Sequence, residues 1–555
     1  MLSTATIERV ATAFASNVGH KKNLIKYMQN KWFIPASPVI NNAPTRKESS
    51  KLGNMRPTAF EKQPGMPISC FLNYVDDTIK GIIESATEWR YMSVAGGGVA
   101  GHWSDVRSPS EKAPGAIAFI KSFDADTFAF RQGKTRRGGY AAYMDISHPQ
   151  IKHFINIRNP TGGDPNAKAL NIHHGVNITR NFYDAVSEGR PWQLIDPHTH
   201  EVVEEVDARE LWLSILKTRT ETGEPYIFNI DVANEALPQA QKEKGLRVNG
   251  SNLCSEITLP TAPDRSAVCC LSSVNLALFD EWHDTGMIGD IVEMLDNVIE
   301  YFILNAPPEL KRAIESAKAE RAIGIGGTGF GTYLQKHMIP FDSAVGVGQS
   351  HKIWSTIKQQ AAMRSIELGS LRGEAPDMKG TGRRNSHLLA IAPNSTTSRI
   401  IGVSPSCEPV NANIFVANTM HGDIVYKNAE LEAVLESYGK NDKDTWDSIK
   451  DNGGSVQHLS FLSHHHMEVF KTAMEIDQNW IIEHAMARQN YVCQAQSINL
   501  FFPPDASIEY IHTVHWRAQG LKSLYYYRSA QINSIGKVQR DFITDPSITC
   551  LSCEG

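Results

Sequence analysis

The spacing of hydrophobic residues alternates along the chain between a helical period and short apolar segments. Residues 5–31, 208–221 and 288–305 repeat apolar positions every three or four residues, which predicts amphipathic helices. Ile68–Tyr74 and Val268–Leu276 are instead short segments rich in apolar residues, which is typical of buried strands. Because such segments alternate over most of the chain, the pattern favours an α/β fold.

No internal repeat, low-complexity tract or clear linker divides this pattern. We therefore expect a short helical N-terminal segment over residues 1–35, one large α/β domain over residues 36–544, and a flexible tail over residues 545–555. The polar residues 42–66 predict a surface loop. The glycine-rich residues 95–101 predict a turn at which two backbone segments approach closely.

Composition narrows the class of protein. The 555 residues are 41% hydrophobic, enough for one large core or two to three ordinary ones. A net charge of -5 provides no general basic surface for nucleic acid or an anionic membrane. No apolar run is long enough to predict a membrane span. Eight unevenly spaced cysteines do not form a disulfide scaffold and indicate a reducing cytoplasm with selected redox thiols.

The pentapeptide 252–256 (Asn-Leu-Cys-Ser-Glu) holds an amide, a thiol and a carboxylate within five residues. In an extended segment or a tight loop, the side chains of Asn252, Cys254 and Glu256 would point the same way. One pocket could then hold a hydrogen-bonding group, a nucleophile or hydrogen-atom carrier, and a base. A lone cysteine is more often a small buried apolar residue, so this pattern needs support from elsewhere in the chain.

Four further cysteines occur in informative positions. Cys269 and Cys270 are adjacent in a predicted strand and must face opposite sides of it. Cys550 and Cys553 form a Cys-x-x-Cys pair in the terminal tail. A structural zinc site normally needs four ligands, and the chain has no second such pair, so a redox pair fits the tail better.

Residues 392–400 (Ala-Pro-Asn-Ser-Thr-Thr-Ser-Arg-Ile) predict a loop that runs into a helix. Clustered hydroxyl groups and exposed helix N–H groups suit a diphosphate, whereas an ordinary helix cap needs only one serine or threonine. Residues 324–329 match the pattern Gly-x-Gly-x-x-Gly, but no acidic residue follows at the distance a dinucleotide site requires. We interpret them as a strand and turn with glycines for close packing.

Taken in order, these segments resemble the catalytic subunit of class I ribonucleotide reductases. The residues that carry the resemblance are Ile68–Leu72 with Cys70, the pentapeptide 252–256, the segment around Cys269, Leu524–Arg528 and the terminal Cys-x-x-Cys. It extends from about Ser37 to the last residue. It implies a ten-stranded α/β barrel of two five-stranded halves, with Cys254 on a finger loop inside it.

The resemblance implies radical reduction of ribonucleotides to deoxyribonucleotides. Cys254 would be the thiyl that abstracts the 3′-hydrogen, Glu256 the base for the 3′-hydroxyl, and Asn252 a hydrogen-bond partner of the substrate. The family's spacing to the following Leu-Ser-x-x-Asn-Leu selects Cys269, with Cys70, as the reducing pair. Plain packing is the better interpretation of the remaining cysteines, Cys270, Cys407 and Cys493.

Further roles follow from the same resemblance. Cys550 and Cys553 would re-reduce the Cys70–Cys269 disulfide with electrons from thioredoxin or glutaredoxin. The substrate diphosphate would bind to Ser37, Ser395, Thr396, Thr397 and Ser398. Nucleotide effectors (dNTP or ATP) would bind at a specificity site with Asp77, Arg107 and Arg137, the last in the basic loop 132–139.

The tyrosines at 525 and 526 indicate which class of ribonucleotide reductase the chain resembles. In an apolar strand they would ordinarily be core aromatics. In class I reductases a stacked tyrosine pair relays the radical from a metal-bearing small (beta) subunit, and cobalamin-dependent relatives lack that pair. The resemblance thus implies Tyr525 and Tyr526 as the relay, no metal or cofactor in this chain, and a homodimer. Tyr527 has no assigned role.

Two alternatives remain open at this point. One is an adenosylcobalamin-dependent reductase with the same barrel, and the other an inactive nucleotide-binding regulatory paralogue, which would not need five redox-placed thiols. Only 36 residues precede Ser37, which predicts a short form without the N-terminal ATP-cone. The chain could be natively short, a shortened protein of a virus or mobile element, or one part of a split subunit. We expect it to act in the cytoplasm, that of the host if a virus encodes it.

Overall fold

The computed structural model describes residues 2–44, 65–130, 139–162, 164–419 and 422–529. Arg137, Cys550, Cys553, most of the expected surface loop 42–66 and the expected flexible tail 545–555 lie outside these residues. In the part of the chain that is described, no helix is long and apolar enough to cross a bilayer.

Helices account for nearly half of the described residues. In chain order the α-helices are Thr4–Phe14, Val18–Gln29, Ser37–Asn42, Ile79–Ala95, Ala116–Ala129, Ile151–Ile155, Arg180–Glu188, Ala208–Thr222, Ile230–Glu235, Gln239–Glu243, Phe279–Trp282, Met287–Asn305, Lys311–Glu320, Phe330–Lys336, Ala344–Arg372, Ser395–Ile401, Ala429–Ser437, Lys443–Asp451, His464–Val469, Gln478–Gln489 and Ile508–Arg517. The helices expected over 208–221 and 288–305 are present within one residue at each end.

The single helix expected over residues 5–31 is instead two helices, Thr4–Phe14 and Val18–Gln29. The side chain of Asn17 accepts a hydrogen bond from the backbone N–H of His20 and so begins the second helix. Apolar residues that pack into the core occur on both sides of the break, which is why the hydrophobic pattern alone did not reveal it. Ile7, Val10 and Phe14 still pack into the large core of the protein.

Fifteen strands occur among the described residues. They are β1 (Phe33–Pro35), β2 (Cys70–Tyr74), β3 (Gly98–His102), β4 (Tyr140–Asp145), β5 (His173–Ile178), β6 (Pro191–Ile195), β7 (Val202–Asp207), β8 (Tyr226–Asn229), β9 (Ala267–Asn275), β10 (Ile323–Thr328), β11 (Ile414–Thr419), β12 (Gly422–Lys427), β13 (Leu500–Phe501), β14 (Ser523–Leu524) and β15 (Tyr527–Arg528). Strands β2, β3, β4, β5 and β8 pair in parallel in that order and form one five-stranded half.

The strands of the second half are antiparallel to those of the first at both edges where the two halves meet. Strand β9 pairs antiparallel with β2 and parallel with β10, and β14 pairs antiparallel with β8. Between β10 and β14, single bridges join Ile325 to Leu389 and Ile391 to Gln496, and the N–H of Tyr525 donates to the carbonyl of Ile498. The α/β barrel of two halves is therefore confirmed.

A finger loop over residues 247–261 lies within this barrel. The N–H of Thr261 donates to the carbonyl of Arg247 and closes the base of the loop. The hydroxyl of Tyr143, on β4, donates to the carbonyl of Asn252 at 2.8 Å. On the other side the N–H of Ala495 donates to the carbonyl of Glu256 at 2.8 Å. Because both halves of the barrel hold the loop, its tip at Cys254 has a fixed position.

The glycine-rich residues 95–101 are not simply a turn, and that expectation was wrong in part. Gly96 has φ 95° and ends the helix Ile79–Ala95, but Gly98–His102 is strand β3. A Cβ at Gly98 would lie 3.0 Å from the side chain of Leu253, and one at Gly101 would overlap the Tyr140 hydroxyl. The glycines therefore let the finger loop and a neighbouring aromatic side chain approach a strand.

Candidate active site

Two thiols face each other where the two halves of the barrel meet. Cys70 on β2 and Cys269 on β9 are direct partners in the antiparallel pairing. Opposite residues in such a pair have Cα atoms roughly 4.5–5.5 Å apart, which is within the range of a disulfide. Cys270 faces the other way, and its thiol donates to the carbonyl of Leu295 in the helix Met287–Asn305 at 3.5 Å.

Glu256 lies next to the first of these thiols. Its side chain is 1% exposed, and burial raises the pKa of its carboxyl to about 7. The Cys70 thiol approaches one carboxylate oxygen at 3.7 Å, and the Ser497 hydroxyl donates to the other at 3.2 Å. A carboxyl that titrates near neutral pH can accept a proton and later return it.

Asn252 shapes the tip of the finger loop. Its side-chain carbonyl accepts hydrogen bonds from the backbone N–H groups of Glu256 at 3.0 Å and Ile257 at 3.1 Å. This turn places Ser255 at φ 70°, in the left-handed region. The Asn252 amide then donates to the Cys70 thiol at 3.2 Å. Asn252 and Glu256 thus share Cys70 as a partner, while Cys254, the third residue of the pattern, packs among tyrosines.

Sequence reasoning missed two polar residues of this site. Gln494 donates from its amide to the Cys269 thiol at 3.6 Å and accepts from the N–H of Thr258 at 3.2 Å. Ser497 contacts Glu256, as described above. Both are buried, in a segment that bridges to the Leu389–Ile391 region of the barrel. Their only signal in the sequence is a group of polar residues in an otherwise apolar stretch.

Cys254 packs in a small apolar cluster with tyrosines. The cluster contains Cys254 at 8% exposure and Tyr525 at 1%, and Tyr526 packs against its edge. The rings of Tyr525 and Tyr526 are in tilted contact, with centroids 4.2 Å apart. Tyr527 belongs to a different cluster and stacks on Phe502 at 4.9 Å. Tyr525 and Tyr526 therefore adjoin the cluster that contains Cys254, whereas Tyr527 packs elsewhere.

Charged side chains surround the outer tyrosine of the pair. The guanidinium of Arg528 lies 4.3 Å from the Tyr526 ring centroid, and the Tyr526 hydroxyl is 3.2 Å from Nδ1 of His173. Burial favours the neutral form of Glu224, but Arg158 and His173 outweigh it and hold the pKa of that carboxyl well below its usual range. Tyr526 consequently lies between a buried ionic group and the apolar cluster that contains Cys254.

The hydroxyl-rich segment forms the start of the helix Ser395–Ile401. Asn394 precedes it at φ 57°, accepts from the Ser273 hydroxyl at 2.9 Å, and donates to the carbonyl of Gly327 at 3.2 Å. These bonds tie the segment to strands β9 and β10. The side chain of Asn394 does not cap this helix, because it bonds to β9 and β10 instead.

The hydroxyl residues of this helix differ in exposure. Thr397 and Ser398 are each 1% exposed and donate to backbone carbonyls of the same turn, while Ser395 and Thr396 are half-buried. Ser37 begins the helix Ser37–Asn42. That helix lies against this one, because Ile40 and Ile401 share a small cluster with Ile34. The structure therefore brings the five expected phosphate residues to neighbouring elements.

Asp77 and Arg107 form an ion pair. The Arg107 guanidinium contacts the Asp77 carboxylate at 2.8 Å, and the Arg107 N–H donates to it at 3.1 Å. His198 approaches the same carboxylate at 3.4 Å. The third expected effector residue, Arg137, lies outside the described residues.

The described ranges contain no group of three or more His, Cys, Asp or Glu side chains that could hold a metal ion. The three adjacent histidines at 464–466 begin a helix whose cap is the Ser463 side chain. Side chains of consecutive helical residues diverge, so this sequence does not converge on one ion.

Comparison with known proteins identifies the family. A family model described as the ribonucleotide reductase barrel domain matches residues 68–382 and 375–527. This chain belongs to the ribonucleotide reductase family. It is 49% identical to a ribonucleoside-diphosphate reductase large subunit of frog virus 3, over 88% of each chain. It is 42% identical to that of invertebrate iridescent virus 3, over 96% of this chain and 92% of the relative.

The solved structures include a similar class I protein. The alpha subunit of the class Id ribonucleotide reductase of Actinobacillus ureae superimposes with a TM-score of 0.83 at 34% identity, covering 96% of this chain and 95% of that one. This reductase chain is thus a large, catalytic subunit of class I, as the order of its motifs indicated. Proteins of this kind receive their radical from a separate subunit.

Proposed function

We propose that this chain reduces ribonucleoside diphosphates to deoxyribonucleoside diphosphates for DNA synthesis, with a radical from a metal-containing small subunit. The observation that carries the proposal is the single site in which Cys70 and Cys269 are strand partners beside Glu256, with Cys254 and two tyrosines adjoining it. The names of the relatives support a diphosphate as the substrate.

The chemistry assigns one task to each group. A Cys254 thiyl takes the hydrogen atom from C3′, and Glu256 accepts the proton of the 3′-hydroxyl. The 2′-hydroxyl leaves as water with a proton from the thiol pair. The other thiol gives a hydrogen atom to C2′, and the remaining electron of the pair reduces the 3′-carbon as Glu256 returns its proton. Cys70 and Cys269 thereby become a disulfide, and Cys254 returns a hydrogen atom to C3′. The burial that raises the pKa of Cys269 well above its usual value keeps that thiol protonated until it reacts.

Two nucleotide sites complete the proposal. Ser37, Ser395, Thr396, Thr397 and Ser398 hold the substrate diphosphate, supported by the hydroxyl side chains that two neighbouring helices bring together. Asp77, Arg107 and Arg137 belong to a specificity site for a nucleotide effector. The half-exposed Arg107 guanidinium supports binding of an anionic group there.

The function is tested by assaying CDP reduction with dithiothreitol as reductant, with and without the small subunit. We expect deoxycytidine diphosphate only when the small subunit is present. Turnover by this chain with adenosylcobalamin and no second protein would contradict the class I mechanism. Absence of turnover under both conditions, with nucleotide binding intact, would support a regulatory protein instead.

The strand pairing predicts which thiols form the disulfide. Protein oxidised by one turnover without reductant should contain Cys70 joined to Cys269, because these two are direct strand partners. Cys270 should remain a free thiol, since it contacts the carbonyl of Leu295 on the other face. Peptide mapping under non-reducing conditions distinguishes the two pairs, and a Cys70–Cys270 link would contradict the assignment.

The proposed role of the tail cysteines predicts that they are needed for repeated turnovers but not for the first one. Replacing both Cys550 and Cys553 by serine should abolish steady-state activity with thioredoxin or glutaredoxin, because nothing then carries electrons to the buried disulfide. Enzyme reduced beforehand should still make about one product per active site, measured by rapid quench. Loss of that first product as well would show that the tail cysteines have another role.

A homodimer is supported by an exposed apolar surface on two helices. Ile79, Ile83 and Phe128 are 66%, 59% and 68% exposed on the helices Ile79–Ala95 and Ala116–Ala129. Ile79 and Ile83 lie one turn apart on the same side of their helix, and the Arg90–Asp126 ion pair joins that helix to the one that holds Phe128. Burial of such a side chain contributes roughly 1.5–3 kcal/mol.

Ile83→Asp should therefore convert the dimer to a monomer at micromolar concentration, as measured by light scattering after gel filtration. Val203→Asp, at an exposed position on strand β7, is the matched control and should leave the mass unchanged. Equal effects of both variants would place the interface elsewhere.

The same proposal includes two further assignments. One is a catalytic domain over 36–544 between a helical start and a tail. The other is action in the cytoplasm.

A further inference from the structure

A third tyrosine, Tyr226, touches both members of the tyrosine pair. It is the first residue of strand β8 and is fully buried. Its ring centroid lies 4.8 Å from that of Tyr525 and 5.3 Å from that of Tyr526. Tyr226 also belongs to the apolar cluster that contains Cys254. Three phenol rings are thus in mutual contact beside the thiol.

The position of Tyr226 differs from that of the other buried tyrosines nearby. Tyr143 is in the same cluster, but its hydroxyl donates to the backbone of the finger loop, and its ring contacts His102 and Phe228. Tyr527, next to the pair in the chain, stacks on Phe502 instead. Among the described residues of this cluster, Tyr226 is the tyrosine in ring contact with both relay positions.

We propose that Tyr226 is a third redox-active tyrosine of the radical relay, an inference that rests on the proposed role of Tyr525 and Tyr526. A Tyr526 phenoxyl radical, produced by the oxidant of the small subunit, takes a hydrogen atom from Tyr226. The O–H bond of Tyr226 breaks and that of Tyr526 forms, so one electron and one proton move together. The Tyr226 phenoxyl then takes a hydrogen atom from Tyr525, its other ring neighbour, and the Tyr525 radical oxidises Cys254.

The buried surroundings explain why the electron and the proton move together. A tyrosine phenol is neutral at physiological pH, and loss of an electron alone would leave a cation in an apolar cluster. Transfer of a hydrogen atom between two phenols creates no net charge. The three side chains have the same chemistry, so the radical can occupy any of them at similar free energy.

The test replaces single tyrosines by 3-aminotyrosine, which is more easily oxidised and retains the radical where it arises. The enzyme with aminotyrosine at 226 is mixed with its small subunit, CDP and an effector, frozen within seconds and examined by electron paramagnetic resonance. We expect an aminotyrosyl radical at 226. The same label at 525 is the positive control, and at 527 the negative control, since Tyr527 packs in a different cluster.

The outcomes separate the inference from the function on which it rests. Trapping at 525 and 226 but not at 527 supports the inference. Trapping at 525 alone overturns it and leaves the relay of Tyr525 and Tyr526 standing. Trapping at all three positions overturns it too, because the label then captures any nearby radical. No trapping at 525 overturns the relay itself, and the inference with it.

A second variant guards against failure of the labelled protein to fold, because the added amino group lies in a packed core. Tyr226→Phe keeps the ring contacts and removes the hydroxyl, so the residue can no longer hold or exchange a hydrogen atom. We expect kcat to fall roughly 2- to 10-fold with KM unchanged. A folded Tyr226→Phe enzyme with unchanged kcat would overturn the inference.

Discussion

Replacing Tyr525 or Tyr526 by phenylalanine is expected to lower CDP reduction by about 10³-fold or more while the protein folds and binds nucleotide normally. Phenylalanine keeps the ring that packs in the cluster but cannot be oxidised to a phenoxyl radical. The loss corresponds to about 4 kcal/mol of activation free energy. The measurement is the rate of product formation with saturating small subunit, together with thermal unfolding and nucleotide affinity of each variant.

Tyr527→Phe is the matched control, because it makes the same chemical change at the next residue. Tyr527 stacks on Phe502 and lies in a different apolar cluster from Cys254. It should retain most of the activity. If Tyr525→Phe and Tyr526→Phe both remain active, the radical reaches Cys254 by another route, and the class I relay is wrong for this chain.

Glu256→Gln should lower kcat by about 10²- to 10⁴-fold, the usual contribution of a general base. Glutamine retains the shape of the side chain and can still hydrogen-bond Ser497, but it cannot accept the proton of the 3′-hydroxyl. Substrate affinity should change little, because the diphosphate binds elsewhere. Single-turnover kinetics with enzyme reduced beforehand measures the effect without interference from the tail cysteines.

The pH profile gives a second test of the same residue. Glu256 must be ionised to act as a base, and burial raises its pKa to about 7. The rate should therefore rise as pH increases toward 7 and level off above it, and Glu256→Gln should lack that limb. Glu408, whose pKa burial also raises to about 7, is the control. The Glu408→Gln enzyme should keep the rise of the rate with pH. If that rise is absent from Glu408→Gln, the titrating group is Glu408.

The same pKa shift has a consequence for stability. Folded Glu256 holds a proton up to about pH 7, whereas the unfolded carboxyl loses it near the ordinary value of 4.5. Folded protein thus binds more protons between these values, so the contribution of Glu256 to the free energy of unfolding falls as pH rises through this window. Glu256→Gln should reduce that slope in denaturant titrations.

The sequence by itself determined the class of fold and predicted the reacting groups. Apolar segments that alternate with amphipathic helices predict an α/β protein, because each element must bury one face against a neighbour. Alternation along a strand also separates Cys269 from Cys270, and the structure places Cys270 against Leu295 on the far face. Such local rules need only the spacing of residues along the chain.

Only the tertiary structure decided which distant residues meet. The pairing of Cys70 with Cys269 joins strands almost two hundred residues apart, and no local pattern sets that register. Gln494 and Ser497 reach the thiols and Glu256 because the end of the chain returns through the barrel. The contact of Tyr226 with Tyr525 likewise depends on the antiparallel join of β8 and β14. The physical reason is that burial and hydrogen bonding act between neighbours in space, whereas the sequence orders only neighbours along the chain.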